Sequence, residues 1–373
     1  MLPDQGCEVA RSSHGHLVAG GLKSQTQSHH RLDIAPGARG KDRDAHPTIR
    51  PCPRKASVCQ GVRMVAATGE QVRIEAGGYA AVLTQGGATL RCLEYAGRQL
   101  IDGFAADEVP TGGRGQVLAP WPNRIGDGNY EFEGRTHQLP VSEPARNNAS
   151  HGLVRWTAWT LAAHDSASAT WTYRLMAQSG YPWTLDLSVT YALSEAGLTV
   201  TQRATNLATT TAPYAAGAHP YLTVGDRVDK LELHLPARVR MTTDERKLPT
   251  GRVDLAGTEY DFLVARRIAD TQWDHAVTDL ERSTDGRCWV TLRDADSGRG
   301  VALWVDEQHS WLQVYTGDDS PTTARRSLAV EPMTAPPDAF RTGIDLIRLS
   351  PSGSTGDSFA VSWGIRALDD SPR

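Results

Sequence analysis

The chain has few cysteines, no long apolar run, no strong excess of one charge and no helical stripe, and each lack closes off a class of protein. Of 5 cysteines in 373 residues, three (Cys7, Cys52 and Cys59) come before residue 64. Cys92 and Cys288 alone remain for a folded body, which excludes a disulfide framework and favours a reducing, cytoplasmic setting. No apolar stretch approaches the roughly 20 residues that span a bilayer, so no membrane partner is expected. A formal charge of −4 leaves no basic footprint for nucleic acid. "TGGRG" at 111–115 and "AGG" at 76–78 lack the spacing and following helix of a phosphate loop. The sequence holds no CxxC pair, no HExxH and no GxSxG, so a nucleophile-based hydrolase has little support.

Residues 1–63 differ from the rest. They carry ten Lys and Arg against five Asp and Glu, together with His14, His16, His29, His30 and His46, and no periodic apolar face. "HLVAGGL" is too short for a signal-peptide core, and Asp33, Asp42 and Asp44 interrupt any transit-peptide pattern. The expectation for 1–63 is a disordered extension, or a reading frame whose true start is Met64, with one folded body over 64–373.

Within that body the patterning has period two. "WTLDLSVTYAL" sets Trp183, Leu185, Leu187, Val189, Tyr191 and Leu193 on one face, and "SEAG" then turns the chain into "LTVTQRATN". "NYEFEGRTHQL" has the form of a hairpin around Gly134. "KLELHLPARVRM", "RCWVTLRD", "GVALWVD", "SWLQVYTG" and the closing "FAVSWGIRAL" add further candidate strands, while "DAFRTGIDLI" allows at most a short helical turn. Many short strands with Gly, Pro, Asp and Asn turns, and no repeat or linker, predict an all-β fold: one large antiparallel β-sandwich.

Polar residues with chemical potential are scattered among these strands. His219 in "YAAGAHPYL" stands directly before Pro220, which fixes an extended backbone and cannot donate to a sheet. Such an imidazole is a structural histidine, a metal ligand or a proton donor aimed out of the regular sheet. Arg124 lies in the shaped loop "APWPNRIGDG", His151 in "NNASHGLVRW" beside Gly152, and Asp274 in "TQWDHAVTDL" after Trp273. Glu331 ends the apolar run in "RRSLAVEPM", either paired with Arg325 or Arg326 or exposed in a pocket.

As an ordered set, "PWPNRI", "HG", "HPYL", "WDH" and "VEP" resemble the aldose 1-epimerase (galactose mutarotase) family from about Met64 to Leu368. The Asn123-Arg124-Ile125 triplet and the following stretch to His151 are the most specific part, and "QVYTG" at 313–317 resembles a strand of the same family. The resemblance implies a galactose mutarotase-like supersandwich acting on a galactose- or glucose-like aldose, as monomer or homodimer, without cofactor or metal. It also implies Glu331 as general base, His219 as general acid, His151 as a second imidazole near the ring oxygen, and Arg124 and Asp274 as holding sugar hydroxyls; Asn123 and Trp273, next to these two in the sequence, are further substrate-binding candidates. Two departures bear on the preferred sugar. Ala218-His219-Pro220-Tyr221-Leu222 replaces the family's Asn-His-Ser/Thr-Tyr-Phe, and "ASHGL" lacks a second glycine after the histidine.

The chemistry suits these residue types. Exchanging anomers needs a proton taken from the C1 hydroxyl and one given to the ring oxygen, which a carboxylate and an imidazole can do near neutral pH. A nearby carboxylate is expected to keep His219 an imidazolium. Of the ten tryptophans, Trp121, Trp273 and Trp311 are the groove candidates, with Trp183 and Trp289 assigned to the core. Three rivals stand beside this reading: a hexose-6-phosphate epimerase with cationic groups at the sugar's far end, a glycosidase using Asp274 and Glu331, and a carbohydrate-binding module without turnover. A metal held by His151, His219 and Asp274 is a further alternative.

Overall fold

The computed structural model describes residues 65–225, 227–319 and 324–368. The expectations for residues 1–63, and for Met64 as the start, lie outside the described residues.

Alternation in the sequence becomes strand. In Leu185–Ser194 the residues Leu185, Leu187, Val189, Tyr191 and Leu193 are buried and those between them are not. The chain then turns into Gly197–Asn206, pairing Leu185 with Asn206 and Ser194 with Gly197. This hairpin lies in a nine-stranded antiparallel sheet. Its order is Thr160–His164, Ser168–Leu175, Leu185–Ser194, Gly197–Asn206, Ser358–Leu368, Gly300–Val305, Cys288–Arg293, Glu232–His234 and Arg266–Arg267. The last long strand of the chain, Ser358–Leu368, is thus clamped inside the sheet between Gly197–Asn206 and Gly300–Val305.

A second, eight-stranded sheet runs Pro249–Asp254, Ala237–Thr243, Asp274–Leu280, Trp311–Tyr315, Leu328–Met333, Gly217–Ala218 and Val117–Leu118, with Tyr221–Leu222 also pairing to Leu328–Met333. A four-stranded sheet, Gln71–Ala76, Tyr79–Thr84, Leu90–Tyr95 and Arg98–Gln99, precedes both. One continuous apolar core joins the three: Leu187 and Val200 from the first, Leu312, Val314 and Val330 from the second, Leu83 and Leu93 from the third. The all-β supersandwich expected from the sequence is the observed architecture, and "DAFRTGIDLI" supplies only a single helical turn, Ala339–Thr342.

One candidate strand divides. "KLELHLPARVRM" forms Glu232–His234 in the nine-stranded sheet and Ala237–Thr243 in the eight-stranded one. Pro236 stands at the break, where its missing N–H ends regular pairing and the chain crosses between layers.

Period two also sets up the site. Leu312 and Val314 face the common core, and so do Val277, Leu328 and Val330. Gln313 and Tyr315, Asp274 and Glu331 therefore share the opposite face of the eight-stranded sheet.

Polar bonds tie the layers to one another, and one of them is isolated enough to measure. Tyr191 Oη donates to the Ala88 carbonyl at 2.6 Å, joining the nine- and four-stranded sheets in a buried setting. Tyr191→Phe leaves that carbonyl without a partner and is expected to cost about 1–3 kcal/mol in urea unfolding. An unchanged midpoint would show that the bond contributes nothing to holding the layers.

Candidate active site

His219 occupies a gap between two short strands that both pair with Leu328–Met333. Gly217 lies opposite Met333, and Tyr221 lies opposite Ala329. The same antiparallel register sets His219 across from Glu331. Pro220 interrupts the ladder there, and only its carbonyl takes part, accepting the Val330 N–H at 3.2 Å. On its other side His219 gives its N–H to the Gln116 carbonyl (3.0 Å) and receives the Gly115 N–H (2.9 Å). The backbone is fixed from both sides, and the ring is left to face Glu331, with Nε2 at 3.2 Å from Oε1.

The ring is also held by its neighbours. Tyr221 stacks on it at 5.0 Å and 12°. Gly113 closes over it in the left-handed region (φ +76°), where a Cβ would come within 2.7 Å of His219 Cδ2. No larger residue fits that approach.

The second imidazole comes from the arginine loop. Arg124–Gly126 pairs with Asn148–Ser150, so His151 follows directly on Ser150, which lies opposite Arg124. His151 and Asn123 clasp each other: the His151 N–H donates to the Asn123 carbonyl at 2.7 Å, and the Asn123 N–H donates to His151 Nδ1 at 3.1 Å. Because Nδ1 accepts, the proton of the neutral ring resides on Nε2. Gly152 must be glycine, since at φ +73° a Cβ would stand 2.0 Å from the Ala119 carbonyl oxygen. The two imidazoles meet edge to face at 5.4 Å.

A chain of side chains fixes the remaining wall. Asn123 Nδ2 donates to Gln313 Oε1 (3.3 Å), and Gln313 Nε2 donates to Asp274 Oδ1 (2.9 Å). Lys247 Nζ pairs with Asp274 Oδ2 at 2.8 Å. Arg124 is gripped by Glu143 through Nε (2.8 Å) and Nη2 (3.0 Å), while Nη1 reaches Asn123 Oδ1 at 3.4 Å. Against the upward push of burial, Arg124, Arg146 and Asn148 hold the Glu143 carboxyl at about 2. Asn123, Gln313, Asp274, Arg124 and Glu143, together with Arg155, Trp156 and Tyr315, line a hollow of about 340 Å³, within the range of small-molecule sites.

The centre of the hollow is electrostatically unusual. Burial lowers the His219 imidazole to about 3, and repulsion from Arg155 and Arg124 works in the same direction. Burial raises the Glu331 carboxyl well above its ordinary value, with Asp274 adding to the shift and Arg124 opposing it. His151 is likewise held well below the usual imidazole value by burial, His219, Arg155 and Arg124. Glu331 Oε2 and His219 Nδ1 are buried without a hydrogen-bond partner. The dry pair therefore favours neutral forms, a carboxylic acid beside a neutral imidazole, sharing one proton over 3.2 Å.

A family model described as aldose 1-epimerase matches residues 70–361. The chain belongs to the aldose 1-epimerase family. It is 36% identical over 311 residues to the uncharacterised protein YihR of Escherichia coli K12, covering 83% of this chain and 97% of that one. It is 26% identical over 255 residues to human galactose mutarotase, covering 62% of this chain and 72% of that one. Among solved structures, a GalM/aldose epimerase homologue from C. elegans superposes with a TM-score of 0.70 at 20% identity, over 80% of this chain and 99% of that one. At that identity the likeness is one of fold.

For this aldose 1-epimerase family member the hollow brings together His219, Glu331, His151, Arg124, Asn123 and Asp274. It does not include Trp273. That side chain is 1% exposed and packs among Tyr260, Phe262 and His275. The physical reason is the strand period: Asp274 faces the hollow, so its neighbour turns to the core. Trp121 lies against Phe340, and Trp311 is buried with its Nε1 bonded to Asp345. Neither lines the hollow.

Of the two alternatives for Glu331, the place in a pocket is the one found. Arg325 goes to Asp318 and Asp229, and Arg326 to Asp102, which leaves Glu331 to His219. The imidazolium expected at His219 gives way to a neutral ring, because burial and two guanidinium groups lower it while burial raises the neighbouring Glu331 carboxyl. As for a metal, no group of three or more His, Cys, Asp or Glu among the described residues is arranged to hold one.

Sequence reasoning missed Gln313, Glu143, Lys247, Arg155 and Trp156 as parts of the site. Gln313, Arg155 and Glu143 fall inside stretches quoted for other reasons, and no local signal marks Lys247, which reaches Asp274 from the turn after Ala237–Thr243.

The neutral-pair assignment has a direct check. A folded value of about 3 against an ordinary 6.5 means the ring takes up no proton as pH falls through 6.5. Nitrogen-15 NMR of His219 in the sugar-free protein is expected to show an uncharged imidazole from above neutrality well into the acid range. A protonation step at or above 6.5 would contradict the assignment.

Proposed function

We propose that the protein is a cofactor-independent aldose 1-epimerase that interconverts the α and β anomers of a free aldohexose resembling galactose or glucose. The observation that carries this reading is the His219–Glu331 contact at 3.2 Å, on the floor of a hollow whose other polar walls are His151, Arg124, Asn123 and Asp274. Glu331 is the general base toward the C1 hydroxyl, and His219 is the general acid toward the ring oxygen. The pair already holds the single proton the cycle needs. Sugar hydroxyls entering the hollow give Glu331 Oε2 the hydrogen bond it lacks, stabilise the carboxylate, and drive the shared proton across to His219. Proton removal at C1 and delivery to the ring oxygen then open the ring. Rotation about C1–C2 and reclosure on the other face return the proton to its starting position, so the net reaction is isomerisation.

His151, neutral and donating from Nε2, hydrogen-bonds near the ring oxygen without exchanging a proton. Arg124, Asn123 and Asp274 orient hydroxyls, and such orientation carries much of the rate of an acid–base step. Both oxygens of Asp274 are engaged, by Gln313 and Lys247. That engagement argues for a binding role and against a glycosidase carboxylate pair. The presence of both imidazoles with Glu331 argues against a module that has lost turnover.

A second substrate reading has one observation in its favour. No carboxylate among the described residues pairs with Arg155, whose bonds to Gln116 Oε1 and the Ser150 carbonyl are long, at 3.4 and 3.5 Å. An unneutralised cation in the wall suits a hexose 6-phosphate. Running glucose and glucose 6-phosphate in one assay separates the two readings by the ratio of their kcat/KM values.

Glu331→Gln and His219→Asn preserve shape and remove one proton function each. Each is expected to lower catalysed anomer exchange by about 10²–10⁴, measured by polarimetry or exchange NMR, with the unfolding midpoint retained. Wild-type rates in either variant would remove that residue from the mechanism.

A further inference from the structure

Trp156 is the one tryptophan left largely in water. Eight of the chain's ten tryptophans are buried and Trp289 is half-buried, whereas Trp156 is 60% exposed. It stands five residues after His151 on the same loop and lines the hollow.

The loop that carries it is firmly held. The Leu153 N–H donates to the Ala119 carbonyl at 2.8 Å, and the Thr157 carbonyl accepts the Gly87 N–H at 2.9 Å. Beyond it, the Trp159 N–H donates to the Gln85 carbonyl at 3.0 Å, and the Trp159 indole is buried. Trp156 is therefore presented from a support fastened on both sides, which lowers the ordering cost of any contact it makes.

The rest of the wall is suited to hydroxyls. Two imidazoles, guanidinium groups, carboxyls and amides give hydrogen bonds but offer little to the C–H surface of a pyranose. Tyr221 and Tyr315 also line the hollow, yet the Tyr221 ring is stacked on His219, and the Tyr315 ring meets Tyr221 edge to face with its hydroxyl bonded to Asp319. Among the described residues the Trp156 indole has one ring contact, the Arg155 guanidinium at 5.6 Å from its centroid. A broad apolar surface left in water beside a polar hollow is complementary to the part of a sugar that the polar groups leave unmatched.

We propose that Trp156 is the carbohydrate-stacking platform of this site, a binding and specificity residue that covers a C–H face of the bound aldose from the rim of the hollow. The proposal rests on the mutarotase reading for its substrate class. Trp156 is 60% exposed where His219 and Glu331 are buried, and an indole face carries no proton to the reacting atoms; its contact is made equally with substrate and transition state, and it acts on KM rather than on kcat.

The test uses the full-length chain with glucose and galactose as probes. Trp156→Ala is expected to raise KM about tenfold, equivalent to roughly 1.4 kcal/mol, with kcat within about twofold of wild type and an unchanged unfolding midpoint. Trp156→Phe keeps a flat face and is expected to restore most of the affinity. The difference in emission between wild type and Trp156→Phe isolates this indole, and it is expected to change saturably as sugar is added.

An Ala variant with wild-type KM in an active enzyme overturns the platform and leaves the mutarotase reading intact. A wild type that fails to exchange any anomer overturns that reading instead. In that event the emission titration with the same sugars still decides the platform, and no saturable change refutes it.

Discussion

The site depends on one antiparallel register. Leu328–Met333 pairs on one side with Trp311–Tyr315 and on the other with two strands, Gly217–Ala218 and Tyr221–Leu222, that are really one strand broken at Pro220. Because side chains alternate across a strand, the pairing of Gln313 with Glu331 and the alignment of Glu331 with His219 put amide, carboxyl and imidazole in one row on one face. Leu328 and Val330 anchor the same strand in the core from the other face. A one-residue slip would exchange the two faces and send the carboxyl into the core. Stability of the sandwich and placement of the His219–Glu331 pair are thus the same constraint.

Burial turns that alignment into chemistry. Glu331 and His219 are 2% and 5% exposed, too dry to hold separate charges cheaply. Their protonation states are therefore governed jointly, and the neutral pair is a reservoir of one proton. The surrounding ions pair among themselves, Arg124 and Arg146 with the single Glu143 carboxylate and Asp274 with Lys247. Arg155 has no carboxylate partner among the described residues, and together with Arg124 it disfavours charge on both imidazoles.

Much of this was legible in the sequence because the longest strands alternate cleanly. Leu185–Ser194 and its return strand follow the apolar period residue by residue, and His219 before Pro220 signals a side chain aimed out of a regular ladder. The limits are equally physical. A period-two reading of "QWDHA" contains the correct inference, that Trp273 and Asp274 point to opposite faces, but aromatic character near a polar pair suggested the reverse. Protonation at His219 depends on depth and on guanidinium groups from the arginine loop and the "HGLVRW" loop, neither of which is local in sequence. Gln313, Glu143 and Lys247 become part of the site only through tertiary pairing with Asp274 and Arg124.

The proposed sharing of a proton makes His219 and Glu331 one catalytic unit. A double-mutant cycle tests it most directly, comparing kcat for anomer exchange in Glu331→Gln, His219→Asn and the two combined. Groups acting as a unit are strongly non-additive, so the double variant is expected to be little slower than the slower single one. Losses that multiply would mean that the two side chains act independently, and would contradict the claim.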